Sequence, residues 1–278
     1  MVSRKLPSAA LNRKGTAMTD PLLLRADDGA IATLTLNAPA SLNALSEAML
    51  DALRAEFDRL AASPEIRVVI LRGAGRAFCA GHDLREMTAG RRAADGGLGY
   101  FRALFARCAE LMLAITRLPQ PVIAEVHGIA TAAGCQLVAT CDLAVAAEGT
   151  RFGVNGVNIG LFCATPMVAL TRVIPRKRAF ELLTTGGFLE AEEARGIGLV
   201  NRVAAPEALG AESRAMAETI AAKLGPVLAI GKRAFYEQAE LPMAEAYAHA
   251  AEVMALNMMR GDTAEGIAAF IEKRAPAW

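Results

Sequence analysis

The stretch PVIAEVHGIATAAGCQLVATCDLAVAAEGTRFG, residues 121–153, decides the fold. "PVIAEV" is an apolar, β-branched run of the kind buried in a sheet. His127-Gly128 ends it. The small residues of "IATAAG" then lead into a helix, and "DLAVAAE" returns to a strand. A strand, a loop of small residues, a helix and another strand predict an α/β arrangement with much of its sheet buried.

The flanking text agrees. "LLLRADDGAIATLTLN" (22–37) reads as a hairpin around Asp28-Gly29. "LSEAMLDALRAEFDRLAAS" (45–63) places Leu50, Leu53, Phe57 and Leu60 on one helical face. "RVVILRG" (67–73) is a strand, and "FRALFARCAELMLAITRL" (101–118) is a helix stopped by Pro119 and Pro121. From Pro206 to residue 278 the text is helical, which predicts an α-helical C-terminal subdomain after a core of residues 18–205. Residues 1–17 carry Arg4, Lys5, Arg13 and Lys14 without an acid or an apolar run, so they are no secretory signal. They read as a disordered extension ahead of Met18. The expected compartment is cytoplasmic, or the mitochondrial matrix if this segment is a transit peptide.

A length of 278 residues suffices for a large core without metals or disulfides. A net charge of +1 and no basic stripe argue against nucleic acid. No apolar run is long enough for a membrane span. The five cysteines form no C-x-x-C and read as buried thiols; His82, His127 and His249 are scattered, so no protein-bound metal is expected.

Two stretches could carry chemistry: "AFCAGHDL" (77–84) and "HGIATAAGCQL" (127–137). Each follows a strand and enters a probable helix through small residues. Small side chains expose backbone N–H groups, and two such groups aimed at one point make an oxyanion hole. The alternative is close helix–strand packing, which wants the same residues.

Together with "NALSEAMLDAL", "ELLTTGGFLEAEEARGIGLVNRV" and "GIAAFIEKRAPAW", these stretches resemble the crotonase superfamily, the enoyl-CoA hydratase/isomerase family. Within it, "GVNIGLFCATP" is similar to the divergent enoyl-CoA hydratase domain-containing group. The resemblance implies a spiral of strand-strand-helix units and a helical C-terminal region that assembles a homotrimer or a dimer of trimers. It implies an acyl-coenzyme A thioester as substrate and no permanently bound cofactor. The oxyanion donors carried over are the amides of His82 and Ala133. The implied coenzyme A contacts are Leu42, Ala80, Asp83, Leu84 and Arg85, with Phe270 and Lys273 reaching a neighbouring subunit's ligand. The usual basic residue on the adenine side is Ala40.

The family's hydratases use two glutamates. Here Gln136 and Gly156 stand in those places. Glutamine can orient water but cannot exchange a proton at neutral pH, and glycine offers no group. General acid–base catalysis contributes about 10²–10⁴-fold. The resemblance therefore implies an acyl-CoA enzyme that stabilises an enolate with weak or altered hydratase activity. Decarboxylation of a malonyl-type thioester or thioester hydrolysis would fit, and a non-catalytic acyl-CoA binder or oligomeric scaffold is the competing class. Among substitutes, His82 could offer its imidazole, while Glu125, Asp142, Cys135 and Cys163 are poorer candidates. Restoring glutamate at both 136 and 156 is expected to raise hydration.

Overall fold

The computed structural model describes residues 20–277. The 1–17 extension expected from sequence lies outside the described residues. The hairpin forms as β1 (Leu23–Asp28) and β2 (Ile31–Leu36), with Asp28 opposite Ile31 and Gly29 at φ 58° in the turn. Ser46 caps α1 (Glu47–Ala61) by accepting from the Met49 N–H. Then come β3 (Val68–Gly73), α2 (Leu84–Gly90), α3 (Leu98–Arg117), β4 (Val122–Val126), β5 (Ile129–Thr131), α4 (Ala133–Thr140), β6 (Leu143–Ala147) and β7 (Arg151–Gly153). The chain continues through α5 (Ala164–Val173), α6 (Arg176–Thr185), β8 (Phe188–Glu190), α7 (Ala191–Gly196) and β9 (Arg202–Ala204). It ends in α8 (Leu209–Ala221), α9 (Gly225–Ala239), α10 (Met243–Met258) and α11 (Gly261–Glu272).

The main sheet has six strands in the order β1-β2-β3-β4-β6-β9, parallel except for the hairpin. A smaller sheet runs β5-β7-β8. The mostly apolar text of β3 and β4 follows from burial on both faces. Val69, Leu71, Val122 and Ala124 join the core beneath α1 and α3. Val68, Ile70 and Ile123 turn the other way, onto Leu209, Met216 and Ala217 of α8. The chain crosses between sheets at Gly128, whose φ is +66° and where a Cβ would stand 2.1 Å from the Arg76 carbonyl oxygen. Strand β4, the kink at Gly128, short strand β5 and helix α4 thus form one unit.

Two polar groups hold distant segments together. Asn43 is buried at φ 53°; its Nδ2 donates to the carbonyls of Ala74 and Ala77 at 2.8 Å each, and its Oδ1 accepts from the Ala38 N–H at 2.9 Å. Lys232 of α9 is also buried. Its Nζ donates to Asp142 Oδ2 at 2.6 Å and to the carbonyls of Ile115 and Gln120 at 2.8 and 2.9 Å. Asp142 further accepts from the Val122 N–H and the Tyr236 hydroxyl. That carboxylate therefore holds α9 against the ends of α3 and β4.

Candidate functional site

The site is built where residues 79–82 leave β3 and thread between two neighbours. On one side they pair with β5: Cys79 bridges Ala130, and the Thr131 N–H donates to the Cys79 carbonyl at 3.0 Å. On the other side the Ala80 N–H donates to the Leu42 carbonyl at 3.0 Å, and the Leu45 N–H donates to the Gly81 carbonyl at 2.7 Å. Gly81 has φ +88°, and a Cβ there would lie 3.1 Å from the Ala133 nitrogen. The chain just before His82 thus runs close beside the first amide of α4, with no room for a side chain between them. Gly134 lets the helix approach, because a Cβ there would meet the Cys79 oxygen at 2.1 Å.

Ala133 opens α4, so its N–H has no intrahelical acceptor. Among the described residues neither the His82 nor the Ala133 N–H donates to a backbone carbonyl. The preceding residue, Ala132, has φ 51° and ψ −121°, the conformation of the first central residue of a type II′ turn, where glycine is the usual occupant. Its N–H is tied to the Gly153 carbonyl at 2.9 Å. The strain is imposed by that tie and by the sharp entry into α4. Ala132→Gly is expected to raise stability by about 1 kcal/mol without loss of ligand binding, measured by urea unfolding and calorimetry.

Gln136 lies one turn into α4 and is 4% exposed; its buried Oε1 has no hydrogen-bond partner among the described residues. Gly156 follows Asn155, whose Oδ1 accepts from the Thr131 hydroxyl at 2.7 Å. The positions 82, 133, 136 and 156 are therefore carried by segments that meet at the start of α4. The space beside Gly156 is closed. A Cβ there would stand 2.4 Å from the Leu161 carbonyl oxygen and 2.8 Å from Cys163 Sγ. The chain itself, returning through residues 161–163, fills the place a second acid's stem would need. This revises the expectation that glutamate could be restored at 156.

The substitute acids and nucleophiles are otherwise engaged. The His82 ring packs edge-on against Phe105 at 5.6 Å between centroids, with Nδ1 3.4 Å from the Leu45 carbonyl oxygen. Burial lowers its pKa, with the Leu45 contact opposing. Since the folded pKa lies below the unfolded one, stability should fall as pH drops through the mid-sixes and level off below the folded value. A His82→Gln variant should show a flatter unfolding profile between pH 7 and pH 5. Burial pushes the Cys135 thiol up to about 12 and raises that of Cys163, so neither is a thiolate at neutral pH. Glu125 faces Arg72 on the neighbouring strand at 3.9 Å.

Of the remaining sequence candidates, Leu42 and Ala80 share the hydrogen bond above. Asp83 caps α2, its Oδ1 accepting from the Arg85 N–H at 2.7 Å, and Leu84 and Arg85 are exposed on that helix's first turn. Phe270 is 85% exposed on α11, and Lys273 ends that helix at φ 55°. α11 packs against α10 rather than contributing to the cluster around α4. Sequence reasoning missed Ala132, Asn43 and the 161–163 return. The only sequence signal among them is Asn43, a turn-prone residue tolerant of left-handed backbone. No helix of the described residues is long and apolar enough to cross a membrane, and no cluster of three potential metal ligands occurs among them.

Comparison with known proteins gives concordant matches. The profile of the family described as enoyl-CoA hydratase/isomerase matches residues 26–278. The mitochondrial enoyl-CoA hydratase domain-containing protein 3 of Xenopus laevis is 42% identical over 271 residues, covering 98% of this chain and 90% of that protein. The crystal structure of an enoyl-CoA hydratase from Mycobacterium smegmatis superposes with a TM-score of 0.89 at 55% identity, covering 93% of this chain and 99% of that one. That of human enoyl Coenzyme A hydratase domain-containing protein 3 gives 0.88 at 40% identity, covering 92% and 100%. The α/β fold of strand-helix units with C-terminal helices is the fold of these neighbours.

Proposed function

The chain belongs to the enoyl-CoA hydratase/isomerase family, and from that premise we propose that it binds an acyl-CoA thioester and polarises its carbonyl between the amides of His82 and Ala133. The observation that supports this reading is the closeness of the chain at Gly81 to the start of α4, where even a Cβ on Gly81 would stand 3.1 Å from the Ala133 nitrogen. Charge developing on the thioester oxygen is stabilised by both N–H groups, and one such donor can contribute about 2.7–4 kcal/mol to a transition state. The family's coenzyme A contacts carry over to Leu42, Ala80, Asp83, Leu84 and Arg85. Coenzyme A enters as part of the substrate, and no other cofactor takes part.

Gln136 and Gly156 leave no carboxylate to move the protons of hydration. The reactions within reach are those that need the hole alone. In decarboxylation, the C–C bond to a departing CO₂ leaves its electron pair on the thioester enolate, which solvent then protonates. In hydrolysis, water adds to the carbonyl, the C–S bond breaks with its electron pair leaving on coenzyme A sulfur, which takes up a proton, and the free carboxylic acid is the other product. The assembly we assign is a homotrimer or a dimer of trimers. None of the residues of α10 is buried, and Met243, Tyr247, Met254, Leu256 and Met259 expose apolar surface that a subunit contact would cover. Phe270 and Lys273 would then reach a neighbour's ligand. The compartment is cytoplasmic, or the mitochondrial matrix if the basic segment is cleaved as a transit peptide.

The test is incubation of the pure chain with crotonyl-CoA and with a malonyl-type thioester, followed by mass spectrometry, beside light scattering for the assembly. Binding of both esters with negligible hydration is expected. Hydration at the rate of a two-glutamate relative would overturn the mechanism, and absence of any coenzyme A ester binding would overturn the site.

A further inference from the structure

We infer that the groove between the C-terminal end of α3 and α9 is a second binding site, separate from the proposed thioester site, and that it takes a phosphate monoester with a small apolar body. The groove, about 250 Å³ in volume, is lined by Arg117, Leu118, Pro119, Ala229, Ile230 and Arg233. A second hollow of about 130 Å³ shares Arg117 and Leu118 with it and is walled by Phe57, Ala61 and Ala114. From Phe105, which packs on His82, α3 runs about 18 Å further to Arg117 at 1.5 Å per residue. The groove therefore lies at the other end of α3 from the residues assigned to the thioester.

Its charge is unbalanced. The acids close by are taken: Asp58 pairs with Arg54 at 3.0 Å, Asp142 with Lys232 at 2.6 Å, and Glu237, one turn beyond Arg233, faces His249 at 3.3 Å. Among the described residues Arg117 and Arg233 have no ion-pair partner. Arg117 is not needed to close its helix either, because Lys232 donates to the carbonyls of Ile115 and Gln120 there. Two arginines thus border one hollow without a counter-charge, which favours an anion. Each guanidinium forks onto two oxygens. A phosphate monoester, with three terminal oxygens and a charge near −2, matches two such forks better than a singly charged carboxylate does. Leu118, Pro119, Ala229 and Ile230 offer the rest of the ligand only apolar contact. A volume near the lower end for small-ligand pockets limits that part to about one ring or a short alkyl chain.

The experiment is calorimetric titration of the full chain at low salt and about pH 8, where the monoester carries two charges, with phenyl phosphate, inorganic phosphate and benzyl alcohol. Phenyl phosphate should bind saturably at one site per chain and tightest of the three. Arg117→Gln and Arg233→Gln should each weaken it roughly five- to tenfold. Both side chains are exposed, so neither change threatens the fold. Arg176→Gln, at an exposed cation on α6, should leave the affinity unchanged. Absence of saturable binding overturns the inference. So does an affinity that neither Arg117→Gln nor Arg233→Gln lowers, since the ester then sits elsewhere. An equal loss in all three variants overturns it too, because the attraction is then that of net charge alone. Inorganic phosphate binding as tightly as phenyl phosphate overturns the apolar body. None of these results bears on the thioester site.

Discussion

The double variant Gln136→Glu with Gly156→Glu is expected to lose stability rather than gain hydratase activity. Position 136 accepts a carboxylate of nearly the same shape, but position 156 does not. The first carbon of a side chain there would overlap the Leu161 carbonyl, a backbone atom that cannot rotate aside, and would press on Cys163. Overpacking of this kind costs typically 1–3 kcal/mol, and an ionised carboxylate forced into a buried wall without a partner adds to it. A loss of roughly 3 kcal/mol or more is expected for Gly156→Glu alone, about 6–12 °C in melting temperature. Crotonyl-CoA hydration, followed by absorbance, should stay at the level of the wild type. A Gly156→Glu protein that melts normally and hydrates crotonyl-CoA in the double variant would show that residues 161–163 move freely, and the closed wall would have to be abandoned.

This case also shows where sequence reading stops. Gln136 and Gly156, at the places where the family resemblance implies glutamates, were legible, because they concern identity at fixed offsets from "FG" and "TAAG". The return of residues 161–163 onto Gly156 was not, because it is a tertiary contact with no local pattern. The hairpin at Gly29, α1 and the buried strands β3 and β4 were legible from periodicity and turn chemistry. β5 was not: "IAT" is three residues long and takes its conformation from pairing with β7 and bridging to Cys79. Ala132 hides best of all. Alanine is the strongest helix former, yet this one holds a left-handed turn conformation because the bond to Gly153 and the start of α4 fix it.

Lys232→Met should be the most damaging change outside the site. It leaves the Asp142 carboxylate facing Tyr236 and the Val122 N–H with no cation, and frees the carbonyls of Ile115 and Gln120. Removing one partner of a buried ion pair costs about 3–5 kcal/mol. The melting temperature should fall by about 10 °C. Asp142→Asn in the same background should recover part of the loss, because no unpaired charge then remains. Equal melting of Lys232→Met and wild type would mean that α9 is held by its apolar contacts alone.

The Asn43 knot has a kinetic consequence. By joining Ala38, Ala74 and Ala77, it couples the segment that pairs with residues 80 and 81 to the loop that delivers them. Amide protons of Ala38, Leu45 and Ala80 should therefore exchange with deuterium through one shared opening event, at a common rate. Fraying of that rim would expose all three at once rather than peel them away in turn.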